Sequence, residues 1–136
     1  GYSEAMREAG LGKYINIVRV RENLRDIQVT AQKLLENKGQ DAIFCWTDYV
    51  ALEVLSVAGT AGLAVPEDIA VAGHDNTFYC AFDQNALTSI DQSGEQLGLQ
   101  AARLLVERIE GRTKAEHFLV QPRLVARRST VRPAEG

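Results

Sequence analysis

The sequence is poor in the residues that build cross-linked or membrane-bound folds. Its 136 residues include 2 cysteines, 3 prolines and 1 tryptophan. The isolated Cys45 and Cys80 exclude a disulfide framework and a zinc site, and their apolar neighbours predict reduced, partly buried thiols in a cytoplasmic protein. No apolar run approaches the roughly 18 residues of a membrane-spanning helix, and no segment resembles a signal peptide. The sequence therefore indicates a globular chain with no membrane partner.

The sequence also lacks the common motifs of catalysis and nucleotide binding. Neither G-x-S-x-G nor H-E-x-x-H occurs, and the Gly-rich phosphate-binding patterns are missing. A Cys80 nucleophile paired with His74 is conceivable, but the sequence supplies no orienting context for it. We therefore predict no catalytic residue, no metal site and no cofactor, and an enzyme is disfavoured.

Charge is unevenly distributed along the chain. The net charge is −3, with 7 basic and 14 acidic residues in 1–100 against 8 basic and 4 acidic residues in 101–136. A basic tail suggests contact with nucleic acid. These basic residues are nevertheless spread over a helix, a loop and alternating strand faces, with acidic residues between them, whereas a DNA-binding element usually has one continuous basic face. Direct DNA binding by this chain is therefore disfavoured.

Helical and strand patterns alternate through the first half of the chain. The sequence opens in an amphipathic helix with no strand before it, which suggests part of a longer protein. Strand-like runs at Tyr14–Val20, Ala42–Trp46 and Ile69–Ala72 flank helical patterns that begin near Leu24 and Thr47. We expect the first run to be mostly buried. Because this order is typical of βαβ crossovers, we predict an α/β fold with a parallel sheet.

The second half has a different rhythm. Leu87–Ile90 predicts a short strand, and Ser93 begins a helix with an apolar stripe. Ser93 and the glutamine three positions later are expected to form a capping box. Phe118–Val120 and Leu124–Ala126 predict two further short strands, and the Pro122 between them favours an edge or a crossover over a central position.

Polar residues gather where the predicted strands end. Arg21–Asn23 follows the first strand, Trp46–Asp48 the second and Gly73–Asn76 the third. In open parallel sheets the ligand crevice lies beyond the carboxyl ends of the strands. A carboxylate, amides, a hydroxyl, a guanidinium and an indole face converging there would suit a small polyhydroxylated or heterocyclic ligand.

These polar residues also have purely structural interpretations. Asp48 is well placed to cap the following helix, and Asp75 can form a local Asx turn. Trp46 fits the core as well as it fits a stacking platform, and His74 fits either a pocket wall or a turn. For Asp75 we favour ligand binding, because no helical pattern begins directly after it.

Five stretches of the sequence together carry a family resemblance. They are Ala42–Ala51, Gly62–Asn76, Leu87–Gln92, Leu97-Gly98 with Ala101-Ala102, and Leu124–Thr130. This set resembles the LacI/GalR family of bacterial transcription regulators. The resemblance covers nearly the whole chain, and the long stretches ending at Asn76, Gln92 and Thr130 are much more specific than any single short motif.

The resemblance implies a fold and a domain organisation. Family members join an N-terminal helix-turn-helix and a hinge helix to a two-lobed core that is similar to a periplasmic sugar-binding protein of type I. By this resemblance, 1–92 is the C-terminal lobe with its first strand missing. Residues 93–121 are a crossover helix and strand belonging to or bridging to the other lobe, and 122–136 are the return segment and tail.

The resemblance also implies ligand-binding roles. Asp75 matches an aspartate that contacts effector hydroxyls, Thr47 stands where the family usually has a ligand-binding Asn, and Asp48 matches the Asp that begins the next helix. Gln92 lies in the crossover, near a position that often carries an aromatic contact. His74 replaces the usual Phe or Tyr. The predicted ligand-binding residues are Asp75, Thr47, Asp48, Trp46, His74, Arg21 and Gln92.

The resemblance finally implies partners and a function. The family dimerises partly through the segment after Asp75, so we expect Phe78, Tyr79 and Phe82 to form part of a homodimer interface. The implied function is an effector-responsive repressor in the cytoplasm. Its effector is a sugar or similar small molecule, and operator DNA is bound by a helix-turn-helix outside this chain. The alternatives are a periplasmic sugar-binding transport protein and, from another class, a small α/β enzyme.

Overall fold

The computed structural model describes residues 1–21, 23–37 and 39–131. Its helices and strands are α1 (Tyr2–Glu8), α2 (Leu24–Glu36), β1 (Ala42–Phe44), α3 (Asp48–Thr60), β2 (Ala70–His74), β3 (Thr88–Asp91), α4 (Gly94–Ile109) and β4 (Arg123–Val125). Short 3₁₀ turns lie at Gly12–Tyr14 and Phe78–Ala81. Glu22 of the first polar group and residues 132–136 of the predicted return segment lie outside the described residues.

The four strands form one open sheet in the order β1-β2-β3-β4. β1, β2 and β3 are parallel, and β4 runs antiparallel to β3 at the edge of the sheet. The predicted α/β fold with a parallel sheet is thereby confirmed. The edge position expected from Pro122 is also confirmed, because β4 begins directly after this proline.

Side-chain caps fix where the two core helices begin. The Asn23 side chain accepts a hydrogen bond from the Asp26 N–H at 2.9 Å, so α2 begins after Asn23. The Thr47 hydroxyl accepts from the Val50 N–H at 3.3 Å at the start of α3. Such caps satisfy backbone donors that have no partner within the helix. With both starts fixed, α2 packs against α3, and α3 packs against β2.

The hydrophobic core lies between these two helices and the sheet. Its buried residues come from every layer and are Ile27, Ala31, Cys45, Val50, Ala51, Val54, Val71, Cys80 and Leu87. Burial raises the pKa of the Cys45 thiol to about 12. Burial, together with a hydrogen bond to Asp48, raises the pKa of the Cys80 thiol to about 11. The buried, unpaired thiols predicted from the sequence are confirmed.

The first predicted strand, Tyr14–Val20, is not a strand. The chain makes a 3₁₀ turn up to Tyr14 and then runs without a partner strand through the described residues that follow. Tyr14, Ile17 and Val18 are 60%, 65% and 46% exposed, so the expected burial is also wrong. An extended run becomes a strand only when another strand pairs with its backbone. Within the described chain, β1 is paired on one side alone.

Two predictions for the second half of the chain, a strand and a helix cap, are also wrong. Phe118–Val120 forms no strand among the described residues, and Leu119 is 87% exposed. Ser93 forms no side-chain cap, because it adopts a left-handed conformation with φ 56°. Its backbone N–H instead donates to the Asp91 carboxylate at 2.7 Å.

Helix α4 carries the predicted apolar stripe on an unpacked face. Every residue of α4 is exposed or half-buried, and Leu99, Leu105 and Ile109 are 67%, 62% and 77% exposed. The short helix α1 is likewise exposed or half-buried throughout. None of the described helices is long and apolar enough to cross a membrane.

Candidate ligand-binding site

Polar residues converge where β2 and β3 end beside each other. His74, the last residue of β2, is paired with Ile90 near the end of β3. The parallel direction of the two strands therefore brings His74 and the residue after it close to Gln92, which follows β3. This edge is the place where an open parallel sheet binds its ligands.

Asp75 is the centre of this polar group. Its Oδ1 accepts a hydrogen bond from Gln92 Nε2 at 2.8 Å and lies 3.2 Å from His74 Nδ1. Gln92 Nε2 is also 3.3 Å from His74 Nδ1. Within the described chain, Asp75 Oδ2 has no hydrogen-bond partner, and the Asp75 side chain is 39% exposed. One carboxylate oxygen is thus held in place on a side chain that stays partly open to solvent.

The backbone of this turn is held as firmly as the side chain. The Asp75 N–H donates to Ile90 O at 2.9 Å, and the Asn76 N–H donates to Ser89 Oγ at 3.0 Å. Asp75 and Asn76 have φ values of 109° and 50°. Asn and Asp are enriched among the non-glycine residues with positive φ. The Asx-turn alternative for Asp75 is wrong, because it requires the Thr77 N–H. That N–H donates to Asp48 Oδ2 at 2.7 Å instead.

Asp48 is a buried anchor. Its side chain accepts from the Thr77 N–H and, through Oδ1, from the Ser89 hydroxyl at 2.6 Å, and the residue is 0% exposed. The capping role suggested for Asp48 belongs to Thr47 instead. Gly73 lies against this anchor so closely that a Cβ there would be 2.4 Å from Asp48 Oδ1. Asp48 therefore holds the turn after β2 from beneath.

The remaining predicted ligand-binding residues stand further out. Trp46 is 57% exposed, so its alternative place in the core is wrong. The Thr47 hydroxyl is engaged by the α3 cap. The Arg21 side chain is 89% exposed and pairs loosely with Asp26 at 4.0 Å. His74, Asp75 and Gln92 are thus within hydrogen-bonding distance of one another, whereas Arg21 contacts Asp26 in α2.

Three polar residues outside the predicted polar groups, Asp91, Arg123 and Arg127, join Asn76 at the strand ends. Asp91 Oδ2 accepts from Arg123 Nε and Nη2 at 3.0 and 2.9 Å and from Asn76 Nδ2 at 3.3 Å. Arg127 Nη2 donates to Asn76 Oδ1 at 2.8 Å. Hydrogen bonds from the Ser93 N–H and then from Arg123 lower the pKa of Asp91 below its usual 3.8. These residues become neighbours only through the register of β3 and β4, which no local pattern reveals.

Three aromatic rings form an exposed cluster beside the site. The Phe78 and Tyr79 centroids are 3.9 Å apart, and Phe82 meets both rings edge-on at 5.9 and 6.1 Å. Phe78, Tyr79 and Phe82 are 66%, 49% and 46% exposed. The cluster is therefore an apolar patch open to solvent.

The polar group at the strand ends is one wall rather than an enclosed pocket. Two depressions in the surface, of about 180 and 290 Å³, are lined by other residues. Among the described residues, no group of three or more His, Cys, Asp or Glu side chains is arranged to hold a metal ion. The chemistry on offer at this wall is hydrogen bonding and stacking.

Comparison with known proteins identifies relatives of the whole arrangement. Residues 1–130 match the model of the periplasmic binding protein-like domain. The chain is 38% identical over 135 residues to the HTH-type transcriptional repressor PurR of Histophilus somni (strain 129Pt), covering 95% of this chain and 40% of that protein.

Solved structures agree. The transcriptional regulator CelR in complex with cellobiose matches with a TM-score of 0.79 and 30% identity, over 94% of this chain and 40% of that one. A regulatory protein of the LacI family from Chloroflexus aggregans matches with a TM-score of 0.81 and 29% identity, over 95% and 48%. The relatives named are transcription regulators, and the chain spans about two fifths of the curated repressor it matches. The chain belongs to the periplasmic binding protein-like domain family, and its sequence and fold match part of LacI-family transcription regulators.

Proposed function

We propose that this chain forms the C-terminal lobe of the effector-binding core of a LacI-type transcriptional repressor, and that Asp75 binds a sugar effector there. The observation that carries the proposal is the Asp75 carboxylate, whose Oδ1 is fixed by Gln92 at 2.8 Å, on a side chain that is 39% exposed. A fixed and accessible carboxylate is suited to accept from the hydroxyl donors of a sugar. The cellobiose found on the related CelR supports this ligand class.

Each predicted residue has a proposed part in this site. Asp75 accepts from ligand hydroxyls, and the half-exposed His74 and Gln92 flank it. The exposed indole of Trp46 can cover the apolar face of a sugar ring. Thr47 and the buried Asp48 position these groups from behind, and the exposed Arg21 stays a prediction for the outer rim.

The proposed division of the chain follows the predicted boundaries, 1–92, 93–121 and 122–136. Two observations support it. β1 is paired on only one side in the described chain, so a further strand has an edge to join, and α4 exposes an apolar face suited to packing against the other lobe. The second wall of the site would come from that lobe, since the strand ends by themselves form an open surface.

The proposed mechanism is a shift between two arrangements of the lobes. A ligand held by Asp75 and completed by the opposite lobe favours one arrangement, and it shifts the equilibrium only by its differential affinity for the two. Operator DNA would be bound in the cytoplasm by a helix-turn-helix outside these residues. The transport alternative is disfavoured, because the relatives are regulators.

The test is Asp75→Ala in the intact protein, with cellobiose as the first probe of a sugar panel. We expect the affinity measured by calorimetry to fall by about tenfold or more, the effect of losing a hydrogen bond to a charged group. Operator binding without sugar should persist. Asp83→Ala, an exposed acid beyond the site, is the matched control. Equal affinities in Asp75→Ala and the control would contradict the assignment of the site.

We propose further that Phe78, Tyr79 and Phe82 lie in a two-fold homodimer interface. An exposed cluster of three rings is a costly surface unless a partner covers it. Phe78→Asp should convert the dimer to monomer in sedimentation equilibrium, whereas Val29→Asp, at a 43% exposed position on α2, should leave the mass unchanged. A wild-type protein that stays monomeric at high concentration would refute this interface.

A further inference from the structure

All residues between β3 and β4 leave and re-enter the sheet through one pair of residues. β3 ends at Asp91, β4 begins at Arg123, and the two residues are partners in the antiparallel register. Residues 92–122, including α4, are therefore attached to the sheet at this pair, and Gln92 at the start of the segment adds a hydrogen bond to Asp75. How this segment is oriented depends on how firmly Asp91 and Arg123 are held.

Asp91 ties both ends of the segment together. Arg123 donates to its Oδ2 through Nε and Nη2, at 3.0 and 2.9 Å. Its Oδ1 accepts the N–H of Ser93, the residue directly before α4, at 2.7 Å. One carboxylate thus fixes the start of the outgoing helix and the first residue of the returning strand.

Asn76 connects this carboxylate to the proposed ligand site. It follows Asp75 directly, and its Nδ2 donates to Asp91 Oδ2 at 3.3 Å. Its Oδ1 accepts from Arg127, beyond β4, at 2.8 Å, and its N–H donates to Ser89 Oγ at 3.0 Å. Because of these bonds, a displacement of the backbone at Asp75 would be transmitted through Asn76 to β3 and to the residues that follow β4.

We propose that Asn76, Asp91 and Arg123 form a strand-end clamp that couples the Asp75 site to the orientation of residues 92–122. They are positioning residues for the effector response. The clamp rests on the proposed function for the ligand that it responds to. Ligand contact at Asp75 then changes the orientation of the segment through Asn76 and Asp91.

The sharpest test is Asn76→Asp in the intact protein without ligand. This nearly isosteric change keeps an acceptor for Arg127 but puts a second carboxylate against Asp91. Hydrogen exchange of residues 91–97, expressed as protection factors, is the readout. At pH 8 we expect protection about fivefold lower than in the wild type. At pH 5 part of the lost protection should return, because two carboxylates that share a site take up a proton more readily than one.

Two further variants separate the clamp from a general loss of structure. Arg123→Gln should lower protection of residues 91–97 at both pH values, without the recovery at pH 5. Arg103→Gln is the matched control, since it removes an exposed ion pair with Glu107 at 3.1 Å inside α4, and it should leave that protection unchanged. Unchanged protection in both Asn76→Asp and Arg123→Gln would overturn the clamp and leave the proposed function standing.

A second arm adds cellobiose at saturating concentration to the wild type and to Asn76→Asp. Bound sugar should alter protection of residues 91–97 in the wild type, and in Asn76→Asp the ratio of bound to free protection should lie closer to one. Sugar that binds the wild type without altering this protection, or an equal ratio in the variant, would overturn the clamp. Failure of the wild type to bind any sugar of the panel would instead overturn the proposed ligand class, while the ligand-free comparison still decides the clamp.

Discussion

The sheet core and helix α4 both carry apolar side chains, but their burial is opposite. Ala51, Val71 and Leu87 are 0% exposed, whereas Leu105 and Ile109 in α4 are 62% and 77% exposed. The core residues find their partners inside the chain, where α2, α3 and the sheet pack together. The difference teaches that periodicity reveals an apolar face but leaves open whether the same stretch of chain supplies its cover.

The largest single effect is expected at one of two leucines, one in each region. Leu87→Ala should lower the free energy of unfolding of the chain by about 3 kcal/mol, because it removes a buried side chain and leaves a cavity. Leu105→Ala should change it by only about 0.5 kcal/mol at most, because its side chain is mostly solvated. Urea denaturation of the 136-residue chain measures both. Equal losses would mean that α4 packs on the lobe.

Two glycines give individually smaller effects, which are opposite in sign to each other. In Gly73→Ala the new Cβ would be 2.4 Å from Asp48 Oδ1 and 3.2 Å from the Asp48 Cα. Overpacking of this kind should destabilise the chain by about 2 kcal/mol. Gly98→Ala should stabilise it by about 1 kcal/mol, because alanine favours the helix. Nothing lies within 4 Å of the new methyl group there. Thermal melts of the two variants measure whether each change raises or lowers stability. If Gly98→Ala lowers it, α4 has a packing neighbour at this position and is not an exposed helix.

The smallest effect is a pH dependence at the junction of the two regions. The pKa of Asp91 in the folded chain lies below its usual 3.8, because the Ser93 N–H and Arg123 favour the ionised carboxylate. Its contribution to stability is therefore present above that pH and is lost as the pH falls through the folded value. Denaturation midpoints measured through the acid range should fall less steeply in Asp91→Asn than in the wild type. Parallel curves would contradict this role.

Local patterns were enough to predict most of the fold. The continuous apolar runs Ala42–Trp46 and Ile69–Ala72 predicted β1 and β2, and Thr47 marked the start of α3. The same reasoning failed for Tyr14–Val20, because β-branched residues indicate extended backbone whether or not another strand is there to pair with it. It failed again at Ser93, where a carboxylate two residues earlier captured the N–H and the backbone lies in the left-handed region.

The candidate site was predictable only in part. Strand ends pointed to His74 and Asp75, and the family resemblance added Gln92, which contacts Asp75. The partners of the Asp48 side chain were not predictable. An aspartate at the start of a helix can either cap that helix or, as here, accept hydrogen bonds from Thr77 and Ser89. Asp91 and Arg123 escaped notice because they are far apart in sequence and meet only through the antiparallel register.

The antiparallel direction of β4 makes residues 92–122 an insertion in the topological sense. Since neighbouring antiparallel strands can be joined by a short hairpin turn, the sheet does not need this segment to close the connection between Asp91 and Arg123. We expect a chain in which Asn-Gly replaces the segment to keep the four strands. The pairing of β3 with β4 thus sets no length for the residues between them, so this segment can vary while the sheet stays the same.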